Sequence, residues 1–345
     1  MKAVVRRGSR LVSEEIPAPR PGPGQVLLRT LACGVCGSDL HAFSHGQALA
    51  ELGRRVGAKN ILDPDRDLVF GHEICGVVAE YGPGTEAVLP VGTRVVAFPR
   101  ATGPNGLETV GLSHRFPGGY AEQVCVDAAM LVPVPDGLSD AEAAMTEPFA
   151  VGAHAVARAG LGHDGVALVI GCGPVGLAVI AALAAEGVGT IVASDFSPAR
   201  REMAIAMGAH RAIDPATESP FAQWPALGVP PRDAVIFECV GVPGMIQQAI
   251  AGASAGAQIM VVGVCLTDDV ILPYQALSKE LRIGFSAAYT MDEFRETLAR
   301  IADGRIDLSR VVTDVIGRSQ AEATFAELSG RDHGQVKVVI EPWRE

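Results

Sequence analysis

Two short segments of the sequence carry side chains that bind transition metals. Cys33 and Cys36 form a Cys-x-x-Cys pair, and Gly71-His72-Glu73 follows later in the chain. The sequence contains no second Cys-x-x-Cys pair, so a closed structural zinc site with four thiolates is not supported. A catalytic zinc needs only three protein ligands and one open position, which Cys36, His72 and a carboxylate would supply.

A glycine-rich segment is the second chemical signal. Gly171-x-Gly173-x-x-Gly176 follows the apolar run 166–170 and precedes an alanine-rich run. In a strand–turn–helix unit, the first glycine permits the tight turn and the second lets the backbone approach a pyrophosphate, while the third brings helix and strand together. The amino-terminal end of such a helix also attracts phosphate. The segment therefore predicts a dinucleotide site.

Residues that follow this segment bear on the choice of dinucleotide. Asp195 lies 19 positions after Gly176, at the end of the next predicted strand, where its carboxylate could accept the ribose hydroxyls. A carboxylate there repels a 2′-phosphate, so the sequence favours NAD over NADP. Arg200 and Arg201 could each lie over the adenine of the dinucleotide. The alternative is that each is exposed to solvent on the surface of a helix.

The predicted dinucleotide site must be positioned by alternating strands and helices. Apolar runs at 166–170, 190–194, 234–237 and 258–262 alternate with helical segments. Strands alternating with helices predict a parallel sheet that is covered on both faces.

The residues before about 149 show a different pattern. Short valine-rich runs at 24–29, 76–81 and 93–98 are bounded by glycine and proline, and one polar helix is predicted at 47–56. This pattern predicts a β-rich domain of barrel or sandwich type. Towards the end of the chain, a helix is predicted at 291–303 and a strand at 336–340.

The composition excludes several classes of protein. The 345 residues carry a formal net charge of −11, with four lysines, which argues against binding to nucleic acid. Residues 165–185 carry no charge, but the glycines and proline in their middle predict a strand, a turn and a helix instead of a membrane span. The seven cysteines are too few for a disulfide scaffold, and no signal peptide is recognised at the start, so a cytoplasmic protein is expected.

Taken together, these motifs resemble those of the zinc-dependent medium-chain alcohol dehydrogenases, especially the polyol branch with sorbitol, threonine and butanediol dehydrogenases. The resemblance extends along nearly the whole chain. The matching segments are Cys36-Gly37-Ser38-Asp39-Leu40-His41, Gly71-His72-Glu73, Gly118-Gly119-Tyr120-Ala121-Glu122, Glu147-Pro148, Gly171-x-Gly173-Pro174-Val175-Gly176 and Asp195.

The resemblance implies a ligand set for the metal. Cys36 and His72 are the implied zinc ligands, and the third ligand stays open between Glu73 and Glu147, which could also exchange during turnover. Zinc with an open position lowers the pKa of a bound alcohol, so that the alcohol can give hydride to C4 of a nicotinamide.

The resemblance also implies a proton path and a nicotinamide site. Ser38 and His41 resemble the family's proton relay, and Asp39 resembles the carboxylate that orients the histidine ligand. Residues 238–241 resemble the turn under the nicotinamide ring. The expected catalytic residues are Cys36, Ser38, His41, His72 and Glu147. The expected cofactor-binding residues are Gly171, Gly173, Val175, Gly176, Asp195, Arg200, Val262, Gly263 and Val264.

The sequence departs from the family pattern in two places. The lobe that holds four cysteines and a structural zinc in most members corresponds to residues 98–116, which contain no cysteine, so one catalytic zinc per chain is expected. The segment 42–71 is longer than the family norm. It could shape the substrate entrance, form a subunit contact or be a neutral surface insertion.

These observations predict an α/β protein with two domains. A Rossmann parallel-sheet domain, 150–286, is expected to be inserted in a β-rich, partly open GroES-like barrel formed by 1–149 and 287–345, with the active site in the cleft. The resemblance implies an NAD-dependent zinc alcohol or polyol dehydrogenase that transfers hydride between a small secondary alcohol, diol or polyol and NAD, with the ketone as the partner substrate. It also implies assembly as a dimer or tetramer. The alternatives are an NADPH-preferring carbonyl reductase of the same family, and a zinc-free NAD-binding redox sensor or subunit-contact protein.

Overall fold

The computed structural model describes residues 1–222, 233–330 and 335–345. The chain divides into two compact units, of which the first combines Met1–Glu147 with Val311–Glu345 and the second is Pro148–Arg310. Within the described residues, no helix combines the length and the apolar character needed to cross a membrane.

Strands and helices are numbered in chain order. The strands are β1 (Lys2–Arg7), β2 (Arg10–Glu15), β3 (Gln25–Gly34), β4 (Glu73–Tyr81), β5 (Arg94–Ala97), β6 (Arg100–Gly103), β7 (Gly106–Thr109), β8 (Gln123–Asp127), β9 (Leu131–Pro133), β10 (Val166–Ile170), β11 (Thr190–Ser194), β12 (Arg211–Ile213), β13 (Ala234–Glu238), β14 (Gln258–Val261), β15 (Arg282–Phe285), β16 (Val312–Ile316) and β17 (Lys337–Ile340). The helices are α1 (Gly37–Ser44), α2 (Gly46–Arg55), α3 (Asp140–Ala144), α4 (Thr146–Ala159), α5 (Pro174–Ala185), α6 (Pro198–Ala206), α7 (Met245–Gly252), α8 (Pro273–Ser278), α9 (Met291–Ala302) and α10 (Ala321–Leu328).

The first unit is β-rich, as predicted. Its largest sheet has the strand order β16-β17-β3-β4-β5-β9 among the described residues, and β8 also pairs with β3. The runs predicted at 24–29, 76–81 and 93–98 lie in β3, β4 and β5. Strand β17 pairs antiparallel with β3, with Val339 opposite Gly34, so the last strand of the chain lies in the first unit. The apolar faces of these strands enclose a core that includes Phe70, Tyr120 and Phe325.

The second unit is built on a parallel sheet. Its strand order is β12-β11-β10-β13-β14-β15 within the described residues, which is the doubly wound order with its switch point between β10 and β13. The register aligns the carboxyl ends, because Ile170 lies opposite both Ser194 and Glu238. Loops that follow these three strands therefore begin at one edge of the sheet.

The limits of the compact units differ from the domain limits expected from sequence. The expected second domain ends at 286, whereas the second compact unit continues to Arg310. Side chains of α9 account for the longer unit, because Glu293 contacts His154 at 2.9 Å and Arg300 contacts Glu186 at 2.5 Å. The ranges 1–149, 150–286 and 287–345 stay predictions of domain boundaries.

The start of α9 is stabilised by a capping box, in which Thr290 and Glu293 exchange side-chain to backbone hydrogen bonds. Thr290 Oγ1 accepts a hydrogen bond from the Glu293 backbone N–H, and Glu293 Oε2 accepts one from the Thr290 N–H. Burial alone would raise the pKa of Glu293, but the bonds from Thr290 and His154 lower it below its ordinary value. A lowered native pKa gives stability that is present at neutral pH and is lost as the pH falls through the native pKa.

We therefore expect Glu293→Gln to destabilise the chain by about 1 kcal/mol at pH 7, with the difference from wild type shrinking below about pH 4. Thermal unfolding followed by circular dichroism between pH 3 and pH 7 measures this. A matched control is Glu218→Gln, which removes a carboxylate from an exposed ion pair with Arg211 and should cost less than about 1 kcal/mol. A Glu293→Gln deficit that does not change with pH would contradict the assignment.

Candidate functional site

Helix α1 positions the first metal-binding motif. Cys36 lies at its N-cap in an extended conformation, and the Asp39 carboxylate reaches back to accept the Cys36 backbone N–H at 3.2 Å. Asp39 is completely buried and also accepts a hydrogen bond of 2.8 Å from the Tyr120 hydroxyl. The carboxylate therefore fixes both the start of the helix and the backbone of Cys36.

The second motif enters the site at the start of β4. Gly71 has φ +103°, and a Cβ there would lie 2.6 Å from the Tyr120 ring, so only glycine fits. His72 follows, with its Nδ1 at 3.3 Å from Asp39 Oδ1 and its Nε2 at 3.4 Å from Ser38 Oγ. Asp39 therefore lies behind the imidazole, as the resemblance implied.

Three potential ligand atoms converge. Cys36, His72 and Glu73 each offer one atom, and these atoms lie within 4.8 Å of one another. Among the described residues, no other group of three or more metal-binding side chains is found, and Glu147 does not belong to this one. Of the two carboxylates that the sequence left open, the structure thus brings Glu73 to Cys36 and His72. Glu147 is buried in the first turn of α4, and its charge acts on Lys337.

The negatively charged groups around the site stabilise positive charge within it. Burial would lower the pKa of His72, but the charges of Asp39 and Cys36 raise it well above its ordinary value. The buried acceptor Glu73 Oε2 has no hydrogen-bond partner. A buried set of carboxylate, thiol and imidazole groups with an unsatisfied carboxylate oxygen is suited to a cation.

Sequence reasoning missed Lys337. This lysine is 2% exposed in β17, and its ammonium group pairs with Glu73 Oε1 and donates a hydrogen bond of 2.8 Å to the Val35 carbonyl. Burial would lower its pKa, but the charges of Glu73 and Cys36 raise it. The available signal was a lysine inside an apolar strand, where an unpaired charge is costly.

The predicted relay residues lie on α1 beside this group. Ser38 contacts the imidazole of His72, as given above, and His41 follows one helical turn later on the same face. Burial lowers the pKa of His41, and the neighbouring His45 lowers it further. The structure gives no direct contact between Ser38 and His41.

The remaining cysteines differ in exposure. Burial raises the pKa of the Cys33 thiol well above its ordinary value, with further contributions from Asp39 and Glu73. Cys33, Cys75, Cys125 and Cys172 are buried, whereas Cys239 and Cys265 are only partly buried.

The glycine-rich turn lies in the second unit, at the switch point of the parallel sheet. It joins β10 to α5, with Gly173 as the N-cap and Pro174 in the first turn. Gly171 has φ +91°, and a Cβ on Gly176 would lie 1.8 Å from the Gly171 carbonyl oxygen. These contacts agree with the roles assigned to the first and third glycines. The chargeless segment 165–185 is thus the predicted strand, turn and helix.

Asp195 lies next to this turn. Its two carboxylate oxygens accept 2.8 Å hydrogen bonds from the backbone N–H groups of Cys172 and Ser197. The Arg201 guanidinium donates to the carbonyls of Asp195 and Phe196, a role that neither sequence interpretation included. Arg200 is partly buried at the start of α6.

The other predicted nucleotide-binding segment lies at the same edge of the sheet. The N–H groups of Val262 and Gly263 both donate to the Glu238 carbonyl, at 2.8 and 2.9 Å. The Glu238 carboxylate accepts from the N–H groups of Val240 and Gly241. Val264 is 61% exposed. The structure therefore gathers residues 171–176, 195, 238–241 and 262–264 along one edge.

Comparisons with known proteins decide the family. A model of the alcohol dehydrogenase GroES-like domain matches residues 22–136, and a model of zinc-binding dehydrogenases matches residues 174–303. The chain is 32% identical to (R,R)-butanediol dehydrogenase of Bacillus subtilis (strain 168), over 95% of this chain and 96% of that one. The chain belongs to the zinc-binding alcohol dehydrogenase family.

Two other relatives agree with this assignment. The dehydrogenase is 29% identical to sorbitol dehydrogenase of Bacillus subtilis (strain 168), over 100% of this chain and 98% of that one. A crystal structure of a zinc-binding dehydrogenase from Sinorhizobium meliloti 1021 bound to NADP matches with a TM-score of 0.84 and 26% identity, over 99% of each chain. The predicted combination of a GroES-like domain and a Rossmann domain is confirmed.

The residues of this dehydrogenase fit the metal that its family implies. A thiolate, an imidazole and a carboxylate are ligands that zinc accepts in catalytic sites, with one further position left open. The donor atoms of Cys36, His72 and Glu73 already lie together, and Glu73 Oε2 has no hydrogen-bond partner.

The glycine-rich turn of the dehydrogenase supports a prediction with an internal control. A Cβ on Gly173 meets nothing within 4 Å, whereas a Cβ on Gly176 meets backbone. We expect Gly176→Ala to destabilise the protein by about 2 kcal/mol or more, and Gly173→Ala to cost less than about 1 kcal/mol. Gly173→Ala should instead weaken NAD binding roughly tenfold, because the methyl group occupies the approach to the helix N-terminus.

Thermal unfolding midpoints and NAD titrations followed by protein fluorescence separate the two effects. Equal losses of stability in both variants would contradict the different roles given to the two glycines.

Proposed function

We propose that this chain is an NAD-dependent, zinc-containing dehydrogenase that oxidises a small secondary alcohol, diol or polyol to the corresponding carbonyl compound. The observation that carries the proposal is the convergence of Cys36, His72 and Glu73 within 4.8 Å in a member of the zinc-binding alcohol dehydrogenase family. Butanediol and sorbitol dehydrogenases among the relatives support the diol and polyol class.

Cys36, His72 and Glu73 would hold the zinc in this proposal. When bound, zinc acts as a Lewis acid that acidifies the hydroxyl group of the substrate. Asp39 orients His72 from behind, and Lys337 holds one oxygen of Glu73 while the other stays available. Glu147 is the alternative carboxylate ligand, and its position outside the group of three disfavours it.

The alcohol loses a proton and a hydride in the reaction. The hydroxyl proton would pass to Ser38, which lies beside His72. It would reach His41 and solvent through a bridging hydroxyl group or water, because Ser38 and His41 are not in direct contact. The lowered pKa of His41 keeps its imidazole neutral at pH 7, so that it can accept a proton. Bound NAD would accept the hydride of the carbinol carbon at C4 of its nicotinamide, so that NAD would be reduced as the alcohol is oxidised to the carbonyl compound.

The cofactor is proposed to be NAD, bound at the edge that gathers residues 171–176, 195 and 262–264. The Asp195 carboxylate, beside the glycine-rich turn, disfavours the extra phosphate of NADP. A relative with bound NADP makes the NADPH-preferring carbonyl reductase the second candidate.

Asp195→Asn decides between the two cofactors. We expect the ratio of kcat/KM for NADP to that for NAD to rise by roughly tenfold to a hundredfold, because a repulsive charge is removed. The exposed Asp164→Asn serves as the control with the same change of charge and should leave the ratio unchanged. Steady-state rates with both cofactors give the result, and an unchanged ratio in Asp195→Asn would refute its role as the selector.

A homo-oligomer is proposed from the edge of the parallel sheet. The strand β15 ends the sheet order among the described residues, and Phe285 in this strand is 63% exposed. Exposed apolar side chains in the segment that precedes this strand include Val270, Tyr274 and Leu277. An exposed strand edge with apolar neighbours favours pairing with a second copy. Light scattering after gel filtration measures the assembly, and a monomer would refute this part of the proposal.

A cytoplasmic location is also proposed. All seven cysteines are free thiols, which favours a reducing compartment.

The reaction class is tested with a substrate panel. Zinc-loaded protein and NAD are mixed with diols, polyols, hydroxy amino acids and simple secondary alcohols, and NADH formation is followed by absorbance. Oxidation of at least one diol or polyol is expected, with one zinc per chain by elemental analysis. The absence of activity over the whole panel would refute the reaction class. Less than one zinc per chain would favour the zinc-free redox sensor.

A further inference from the structure

A cavity lies in the first unit, and its lining does not include the residues that would hold zinc. It has a volume of about 340 Å³. Its lining residues are Lys59, Asn60, Ile61 and Arg66 from one segment, and Asn105, Glu108, Leu112, Ser113, His114 and Arg115 from another. These are parts of the two segments in which the chain departs from its family. The side chains that matter for its chemistry are Lys59, Ile61, Arg66, Glu108, Leu112 and Arg115.

The charges of the cavity are unbalanced in favour of cations. Glu108 is buried, and its Oε2 accepts a hydrogen bond of 2.5 Å from the Ser113 hydroxyl, while Arg115 lies 3.6 Å from its Oε1. The carboxylate is thus occupied by its own neighbours. Among the described residues, the side chains of Lys59 and Arg66 have no hydrogen-bond or ion-pair partner, although both line the cavity.

Lys59 and Arg66 are exposed cations of an acidic chain. The protein carries a net charge of −11, and its exposed arginines commonly pair with acids. Examples are Arg7 with Asp67 and Arg10 with Glu322. An acidic protein repels anions overall, so a local excess of positive charge among exposed side chains that line one cavity marks a place where an anion is favoured.

The walls of the cavity are fixed by three hydrogen bonds to backbone atoms. His114 Nε2 accepts the backbone N–H of Asp63 at 3.0 Å, and its Nδ1 donates to the Asp67 carbonyl at 3.1 Å. Arg6 is buried and donates to the Pro64 carbonyl at 2.5 Å. The segment that carries Arg66 is therefore held at three points, which reduces the ordering needed on binding.

We propose that this cavity binds a phosphate group, either as free phosphate or as the monoester of a small alcohol. A dianion matches the two unpaired cations, and guanidinium and ammonium groups are the usual donors to phosphate oxygens. The volume lies at the lower end of the range for small-molecule sites. Ile61 and Leu112 offer apolar surface to the organic part of a monoester. The proposal does not depend on the dehydrogenase reaction.

Calorimetric titration of the zinc-loaded protein with inorganic phosphate and with ethyl phosphate tests this. Ethyl phosphate has no free alcohol group for the dehydrogenase site. Saturable binding at low ionic strength is expected for at least one of the two. Tighter binding of ethyl phosphate identifies a monoester as the ligand, and tighter binding of phosphate identifies the free ion.

The double variant Lys59→Gln/Arg66→Gln should weaken binding by roughly tenfold or more. The matched control Arg20→Gln/Arg310→Gln removes the same net charge from exposed positions outside the cavity and should change the affinity less than about twofold. Thermal unfolding checks that both variants are folded. An affinity that falls equally in both double variants, or no saturable binding of either anion, would overturn the proposal.

Discussion

Replacing Cys36 by serine is expected to remove most of the bound zinc and to lower kcat/KM by roughly a thousandfold or more, because a metal centre contributes several kcal/mol to the barrier. A serine hydroxyl stays protonated at neutral pH, whereas a thiol beside a metal loses its proton and becomes the ligand. The variant would leave only His72 and Glu73 in the group. Zinc content by elemental analysis and NADH formation from an accepted substrate measure the two effects.

Cys265→Ser is the matched control for this change. Cys265 is partly exposed and lies in the second unit, where its sulfur contacts Thr267. It should retain the zinc and the turnover of the wild type. Full zinc content and activity in Cys36→Ser would contradict the proposed ligand set.

Replacing Lys337 by methionine should produce the largest loss of stability. Lys337 is 2% exposed, and the Glu73 carboxylate that it pairs with is completely buried. Removing one partner leaves a buried charge without compensation, which costs about 3–5 kcal/mol. Urea unfolding in the presence of a chelator measures the effect, because the chelator prevents a metal from compensating Glu73.

Two further variants make this prediction specific. Lys337→Met combined with Glu73→Gln should recover most of the lost stability, because no uncompensated charge is then buried. Arg10→Met breaks the exposed pair with Glu322 and should cost less than about 1 kcal/mol. A Lys337→Met variant as stable as Arg10→Met would show that the buried pair contributes little.

Much of the fold could be predicted because its signals are local. Strands β10 and β11 begin and end where the apolar runs 166–170 and 190–194 do, since buried parallel strands are uniformly apolar. The helix α1, in contrast, was not predicted. It has eight residues, of which only Asp39 and Ala42 are buried, so its sequence shows little contrast between a polar and an apolar face.

The site was predictable only to the level of its motifs. Cys36 and His72 stand in short patterns that indicate metal binding, but the choice between Glu73 and Glu147 needs a distance, which sequence spacing does not supply. The pairing of Lys337 with Glu73 could not be predicted from the sequence for the same reason. Its position within the apolar run 336–340 shows that it must be paired, but not which acid pairs with it.

The ion pair of Glu73 and Lys337 also orders events during synthesis of the protein. The two residues are separated by 264 positions, so a ribosome adding about 5–20 residues per second makes the lysine tens of seconds after the glutamate. During that interval the second unit is synthesised, and the Glu73 carboxylate has no Lys337 ammonium group with which to form its buried ion pair. The metal-binding group of the first unit therefore reaches its buried arrangement only after nearly all of the polypeptide has been made.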